Sequence, residues 1–420
     1  MSHNADLQRS IFSTQPTPET AGFSRSRLER LSEVLRADVT AGTIPGAVAL
    51  IARNGQPAYH QAFGYAERTT LRTMQPTTVF RIASMTKPVT VVAALMLMER
   101  GQLLLTDPVW RYLPALRDVQ VGVEEVDSDT GQRRLTLKQA RRPMTIQDLM
   151  RHTAGFTYGQ FGDSLVQRAY RNAHVVDNQQ SNAELVAKLA KLPLAHQPGT
   201  TFEYGMSTDV LGAVVEAISG LSLDRYFTEH ITGPLGMTDT RFGMPQDEAD
   251  RLAEPQRDAM PDHVPAVVPY DPARPTQWFS GGGGLLSTAV DYTTFAQMLL
   301  NEGEVGGVRL LARKTAQLML QNHLPATLTY GPQTAELGIA APLPQLGQGY
   351  GLGLGVRKEA GLSPVPGSPG DFYWGGALGP YFWVDPIEKM SVVFMLQELN
   401  VQIRTRYRSL LRSLVYQALH

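Results

Sequence analysis

The sequence predicts an α+β fold in which an antiparallel sheet, flanked by terminal helices, carries an inserted, mostly helical domain. Three observations carry this. The chain opens as helix, strand, strand. It closes on a run of strands and then a helix. From Met85 to about Glu302 the pattern is mostly helical. Both ends are therefore expected to build one sheet domain, residues 1–84 with 300–420. Residues 85–299 form the insert, and the active site is expected in the cleft between the two. Termini lying close together agree with a discontinuous domain of this kind.

The elements follow in order. Ser24 to Val39 sets Leu28, Leu31, Leu35 and Val39 on one face, as an amphipathic helix does. Gly46 to Ala52 is a β-rich run, Asn54-Gly55 is a hairpin turn signal, and Pro57 to Phe63 pairs back. Pro88 to Met98 is the most apolar stretch. It is too short for the roughly 18–20 residues of a membrane-spanning helix and reads as a core helix. Asp118 to Ala140 is a charged hairpin around Asp129-Thr130-Gly131, and Pro325 to Gly349 reads as a loop; both are expected on the surface. Tyr350 to Arg357, Tyr381 to Asp385 and Ser391 to Gln397 read as strands. Ile403 to Leu419 reads as the closing helix, with Arg404, Arg406, Arg408 and Arg412 among its polar positions. No repeat period is present.

Composition narrows the function. A chain of 420 residues can bury a core without staples. With 38 basic and 39 acidic residues the net charge is −1, which argues against a nucleic-acid binder. There are no cysteines, so disulfides, thiolate metal sites and a cysteine nucleophile are excluded. No H-x-x-x-H pair is present, and no metal or organic cofactor is expected. Met1 to Pro18 is polar and lacks the apolar run of a signal sequence. The expected compartment is the cytoplasm, or the periplasm for a form whose leader has been removed. Only seven of the 38 basic residues are lysines: 87, 138, 188, 191, 314, 358 and 389.

One of these lysines stands three residues after a serine, in Ser84-Met85-Thr86-Lys87, at the head of the apolar helix. On a helix, residues three apart share a face. A serine there sits among unpaired amides that suit a developing oxyanion. A desolvated lysine beside it can take its proton. The plainer reading is a capping serine and a surface lysine, but a surface lysine is out of place before so apolar a helix. Tyr204, delivered by Pro198-Gly199 just before a helix from Thr208 to Ser219, is a candidate base once a lysine ammonium lies beside it. Its plainer reading is a core aromatic. In Tyr373-Trp374-Gly375-Gly376-Ala377-Leu378-Gly379, the glycines mark close approach on an edge strand, and the Ala377 amide is a candidate oxyanion donor.

Other signals are set aside. Lys314-Thr315-Ala316 belongs to a helix surface, and Gly281 to Gly284 to a tight turn. No G-x-S-x-G elbow is present. His152 reads as a structural histidine.

These motifs, in this order, resemble the class C β-lactamase-like serine hydrolases, closest to the family VIII carboxylesterases and related acyltransferases. Met144 to Gly155, Pro234 to Met237 and Gly282 to Ala289 also match, so the resemblance spans roughly Gly46 to Gln397. It implies a β-lactamase/transpeptidase-like fold, a nucleophile at Ser84, its partner at Lys87 and a base at Tyr204. It also implies an oxyanion hole from the amides of Ser84 and Ala377. Trp374, Gly375, Gly376, Met206 and Ser207 would line the substrate site.

Two departures matter. Met206 and Ser207 stand where the lactamase branch has the asparagine of Tyr-x-Asn. Trp374 stands where that branch keeps the lysine of Lys-Thr-Gly, which supplies charge for a substrate carboxylate. An uncharged small-molecule ester is therefore the expected substrate, short-chain or aryl, with the chain a monomer or small homo-oligomer. A β-lactamase or D-alanyl peptidase, an acyltransferase using an alcohol, and a non-catalytic scaffold are the alternatives.

Overall fold

A computed structural model describes residues 17–256 and 276–420. The polar stretch read for a signal sequence lies outside these residues up to residue 16, as does segment 257–275 of the expected insert.

Helix α1 (Arg25–Thr40) begins where the Ser24 hydroxyl accepts the Arg27 amide, satisfying one of the donors a helix start leaves free. It buries Leu28, Leu31 and Leu35. Strands β1 (Gly46–Arg53) and β2 (Gln56–Glu67) pair as the expected hairpin around Asn54-Gly55. The sheet is completed by β3 (Arg72–Thr73), β4 (Gln348–Tyr350), β5 (Gly355–Arg357), β6 (Phe372–Gly375), β7 (Tyr381–Asp385) and β8 (Met390–Leu396). Their spatial order is β4-β5-β6-β7-β8-β1-β2-β3, with every pairing antiparallel. The pairing of β1 with β8 joins residues from the two ends of the chain. The Ser24 amide donates to the Ala418 carbonyl at 2.8 Å, so the outer segments meet as well.

Four more helices position the site: α2 (Thr86–Glu99), α3 (Ser207–Ser219), α4 (Ala289–Leu300) and α5 (Val401–Tyr416). Alternate residues of a strand point to opposite faces. Ala47, Ala49, Ile51, Val392 and Phe394 therefore pack with α1 and α5 on one side. Val48, Leu50, Val393 and Met395 pack with α2 and α4 on the other. The Gln297 amide donates to the Ser391 hydroxyl at 2.7 Å, tying α4 to the sheet. This is the α+β architecture expected, with a mainly antiparallel sheet between helical layers.

Three local readings change. Tyr350 to Arg357 is not one strand. Gly353 has φ 83° and the Gly351 amide bonds the Leu354 carbonyl at 2.8 Å, so the chain reverses and β4 and β5 form a hairpin. Pro325 to Gly349 is not all loop. It holds a short strand, Thr329–Tyr330, paired with Thr201–Phe202, and the 3-10 turns Pro332–Ala340 and Pro344–Leu346. Its apolar Ala340 and Ala341 are buried, because it packs over the sheet end. Strand β6 is interior, between β5 and β7; β5 pairs only with Phe372 and Tyr373, which leaves Trp374 and Gly375 open on that side. The hairpin near residue 130 forms as expected, from Gln120–Val126 and Arg133–Gln139.

Candidate active site

The segment before α2 is held from several sides. Phe80–Arg81 pairs with Leu286–Ser287, the Leu285 amide donates to the Thr86 hydroxyl at 3.1 Å, and the Tyr292 hydroxyl donates to the Met85 carbonyl at 2.8 Å. Ala83, just before Ser84, has φ 46°, a left-handed conformation a non-glycine residue adopts only where its surroundings impose it. Ser84 is half-buried at this turn and Lys87 is fully buried one helical turn on. Lys87 Nζ donates to Ser84 Oγ at 3.1 Å, to the Tyr158 hydroxyl at 3.2 Å and to the Gly282 carbonyl at 2.7 Å. An ammonium has three N–H donors, and here each finds an oxygen.

Tyr204 lies against that ammonium with its ring. Lys87 Nζ is 4.7 Å from the Tyr204 ring centroid and 5.7 Å from that of Tyr158. The Tyr204 hydroxyl accepts from the Trp374 indole N–H at 3.3 Å, so Trp374 also touches the candidate base. His152 is buried behind Tyr204, with ring centroids 4.8 Å apart. Its Nδ1 accepts the Gly205 amide at 3.4 Å and its Nε2 faces the Thr208 hydroxyl at 3.4 Å. Burial, with Lys87 close by, holds its basicity far below the ordinary histidine range, so it is neutral.

Behind Lys87 lies Asp209, on the first turn of α3. Its Oδ1 accepts the Ser280 hydroxyl at 2.5 Å and the Gly282 amide at 3.0 Å. Burial pushes this carboxyl up, while the charge of Lys87 and these donors pull it back.

Strand β6 supplies the opposite wall. A Cβ on Gly376 would lie 2.5 Å from the Ile82 carbonyl, so only glycine lets the end of β6 close on the Ser84 segment. That contact sets the turn carrying Ala377, whose amide makes no backbone hydrogen bond among the described residues. Trp374 is buried, and Met206 and Ser207, just after Tyr204 in the chain, are fully buried at the start of α3. The structure thus gathers Ser84, Lys87, Tyr204 and Trp374 by direct contact, and brings Gly376 against the segment that carries Ser84.

A model of the Beta-lactamase family matches residues 31–413. The chain belongs to that family. Its fold is the β-lactamase/transpeptidase-like one, and it sits within the superfamily of β-lactamase-like serine hydrolases. Protein Rv1367c of Mycobacterium tuberculosis is 36% identical over 367 residues, covering 86% of this chain and 88% of the relative. Esterase EstB of Burkholderia gladioli is 30% identical over 387 residues, covering 87% and 89%. Among solved structures, EstCE1, described as a hydrolase with promiscuous acyltransferase activity, superposes with a TM-score of 0.75 at 28% identity, covering 93% of this chain and 99% of that one.

Around this candidate site of a Beta-lactamase-family chain, the sequence reading missed several groups. Tyr158 contacts Lys87, and Asp209 faces it through Gly282, from separate elements, and no local spacing announces that. Gly282 was read as part of a tight turn and of a matching stretch, with no role in the chemistry, yet its carbonyl holds Lys87. Arg408 of α5 reaches the cleft end of β6: a Cβ on Gly375 would lie 2.8 Å from its guanidinium. Burial makes Arg408 less basic than usual, but a guanidinium stays charged in proteins. The charge absent at Trp374 therefore has a neighbour one strand residue away. Lys314 lies exposed on the helix Arg313–Met319, as the sequence suggested. Among the described residues, no group of three His, Asp or Glu side chains is arranged to hold a metal, and no helix is long and apolar enough to cross a membrane.

Proposed function

We propose that the chain is a serine esterase that hydrolyses small carboxylic esters through an acyl-Ser84 intermediate. The observation that carries this is the buried Lys87 ammonium 3.1 Å from Ser84 Oγ, in a pocket walled by Tyr204. Ser84 Oγ attacks the ester carbonyl, and its proton passes to Tyr204, which acts as a phenolate held against the Lys87 ammonium. The amides of Ser84 and Ala377 hold the tetrahedral oxyanion; each well-placed donor contributes on the order of 3 kcal/mol to the barrier. The intermediate collapses, the alcohol leaves with the proton, and water activated by the same pair releases the acid. The cleft lies between the sheet domain and the helical insert. Esterase EstB, at 30% identity, supports ester chemistry.

Trp374, Gly375 and Gly376 form the substrate wall, and the indole in place of a lysine favours a neutral ester. Met206 and Ser207, just after Tyr204 in the chain, complete the substrate site. A second reading, acyl transfer to an alcohol in place of water, draws support from the description of EstCE1. The test is turnover of p-nitrophenyl acetate and of nitrocefin by the wild type and by Ser84→Ala, with a fluorophosphonate probe. Ser84→Ala is expected to lose at least about a thousandfold in kcat/KM and all probe labelling, consistent with loss of a covalent nucleophile. Unchanged ester turnover would sink the serine reading, and a clear preference for nitrocefin would sink the neutral ester.

A further inference from the structure

Asp209, fully buried behind Lys87, has no task in the scheme above. Asp209 accepts from the Ser280 hydroxyl and the Gly282 amide, while the carbonyl of the same Gly282 accepts from Lys87 Nζ at 2.7 Å. One residue therefore presents its amide to the anion and its carbonyl to the cation. A Cβ on residue 282 would lie 2.3 Å from Asp209 Oδ2, so this packing requires glycine. The cation acting on the carboxylate is Lys87, at one residue's remove.

That remove has a consequence. A carboxylate in direct contact would form a strong charge-assisted bond and draw Nζ away from the serine. Set behind Gly282, the negative charge stabilises the buried ammonium and leaves a donor aimed at Ser84 Oγ. Other titratable groups face Lys87 or Tyr204 as well. His152 and Tyr158 come from the 152–158 segment, Tyr350 from β4 and Arg408 from α5. Burial keeps His152 neutral and pushes both tyrosines up, and Arg408 is a cation. In this set Asp209 is the one acid.

We infer that Asp209 is a positioning residue for acyl transfer: through Ser280 and Gly282 it fixes the place and the charge of the Lys87 ammonium beside Ser84. This rests on the serine-esterase reading proposed above.

The test compares Asp209→Asn and Ser280→Ala in the full chain, using p-nitrophenyl acetate kinetics across pH and the rate of fluorophosphonate labelling. Asparagine keeps an oxygen for the Ser280 and Gly282 donors, removes the charge and turns the second oxygen into an amide donor. Asp209→Asn is expected to lower kcat by about tenfold to a hundredfold with KM within about twofold. It should also move the acid limb of kcat/KM down by about one pH unit, because the pair gives up its proton more easily without the anion. Ser280→Ala keeps the charge and removes one of its donors, so the limb should move up. A limb unmoved in Asp209→Asn, or moved the same way in both variants, would overturn the inference. If Asp209→Asn does not fold, the upward shift in Ser280→Ala decides, and its absence overturns the claim. Failure of the underlying reading is separate: Ser84→Ala would then keep turnover, and Ser84 would take no probe.

Discussion

Asp148 and Asp209 are both fully buried, and the protein treats them in opposite ways. Asp148 stands at the third position of the helix Ile146–Met150, where it closes a capping box with Thr145. Arg142 donates to it at 2.5 and 3.0 Å, Arg151 at 3.0 Å and Thr153 at 2.7 Å. Burial pushes its carboxyl up, but the Arg142 bonds, the Thr145 amide and Thr153 outweigh that and hold it below the usual range. Asp209 has only neutral donors in contact, and burial wins. Where a carboxylate is architecture, guanidinium groups bond it directly. Beside the serine, the cation is left free to face Ser84.

The largest way to break this contrast is Asp148→Asn. Removing the charge leaves two guanidiniums facing a neutral group; Arg151 is mostly buried but Arg142 is 40% exposed, so the loss falls at the low end of the about 3–5 kcal/mol for breaking a buried pair from one side. Urea unfolding should show that loss, while kcat on the ester below the melting transition stays within about twofold. A variant that keeps its stability and loses its turnover would erase the division between the two aspartates.

Acid titration sharpens the same contrast through the sign of its slope. The Asp148 carboxyl is depressed in the folded state. Its contribution is present above the unfolded value of about 3.9 and is lost as pH falls through the folded value. Asp148→Asn should therefore unfold with a flatter pH dependence than the wild type below about pH 4. The Asp209 carboxyl is raised, so the folded state binds more protons between the unfolded and folded values, and stability falls as pH rises through that window. Asp209→Asn should lose that fall. The two variants must change the slope of stability against pH in opposite directions; equal changes would contradict the assigned environments.

Much of this was legible in the sequence for a physical reason: periodicity and turn chemistry are local. The leucines of α1, the Asn54-Gly55 turn and the strands β7 and β8 all announce themselves within a few residues. So does the Ser84–Lys87 pair, because the three-residue spacing is itself the geometry. Tyr350 to Arg357 misled because its apolar composition suits a strand, while the reversal rests on Gly353 alone. Asp209 and Tyr158 escaped notice because their meaning lies in a lysine on another helix. Arg408 reads as one more polar position of the closing helix until α5 is laid against β6.

The smallest expected effect concerns how Tyr204 is held. Its hydroxyl has a neutral donor, the Trp374 indole N–H at 3.3 Å, just as Asp209 has Ser280 and Gly282. The site therefore orients its proton-handling groups with dipoles rather than with ion pairs, which leaves their charges free to change during the reaction. Trp374→Phe keeps an aromatic wall beside Tyr204 and Tyr350, whose ring centroids lie 5.5 and 5.2 Å from that of the indole, and removes the donor. One neutral hydrogen bond contributes about 0.5–1.5 kcal/mol, so kcat/KM for p-nitrophenyl acetate should fall by about two- to twelvefold. Because the lost contact orients the base, the fall should lie in kcat, with KM nearly unchanged and the melting temperature within a few degrees. A rise in KM at constant kcat would instead make the tryptophan a binding wall and nothing more, and Tyr204 would then need another group to orient it.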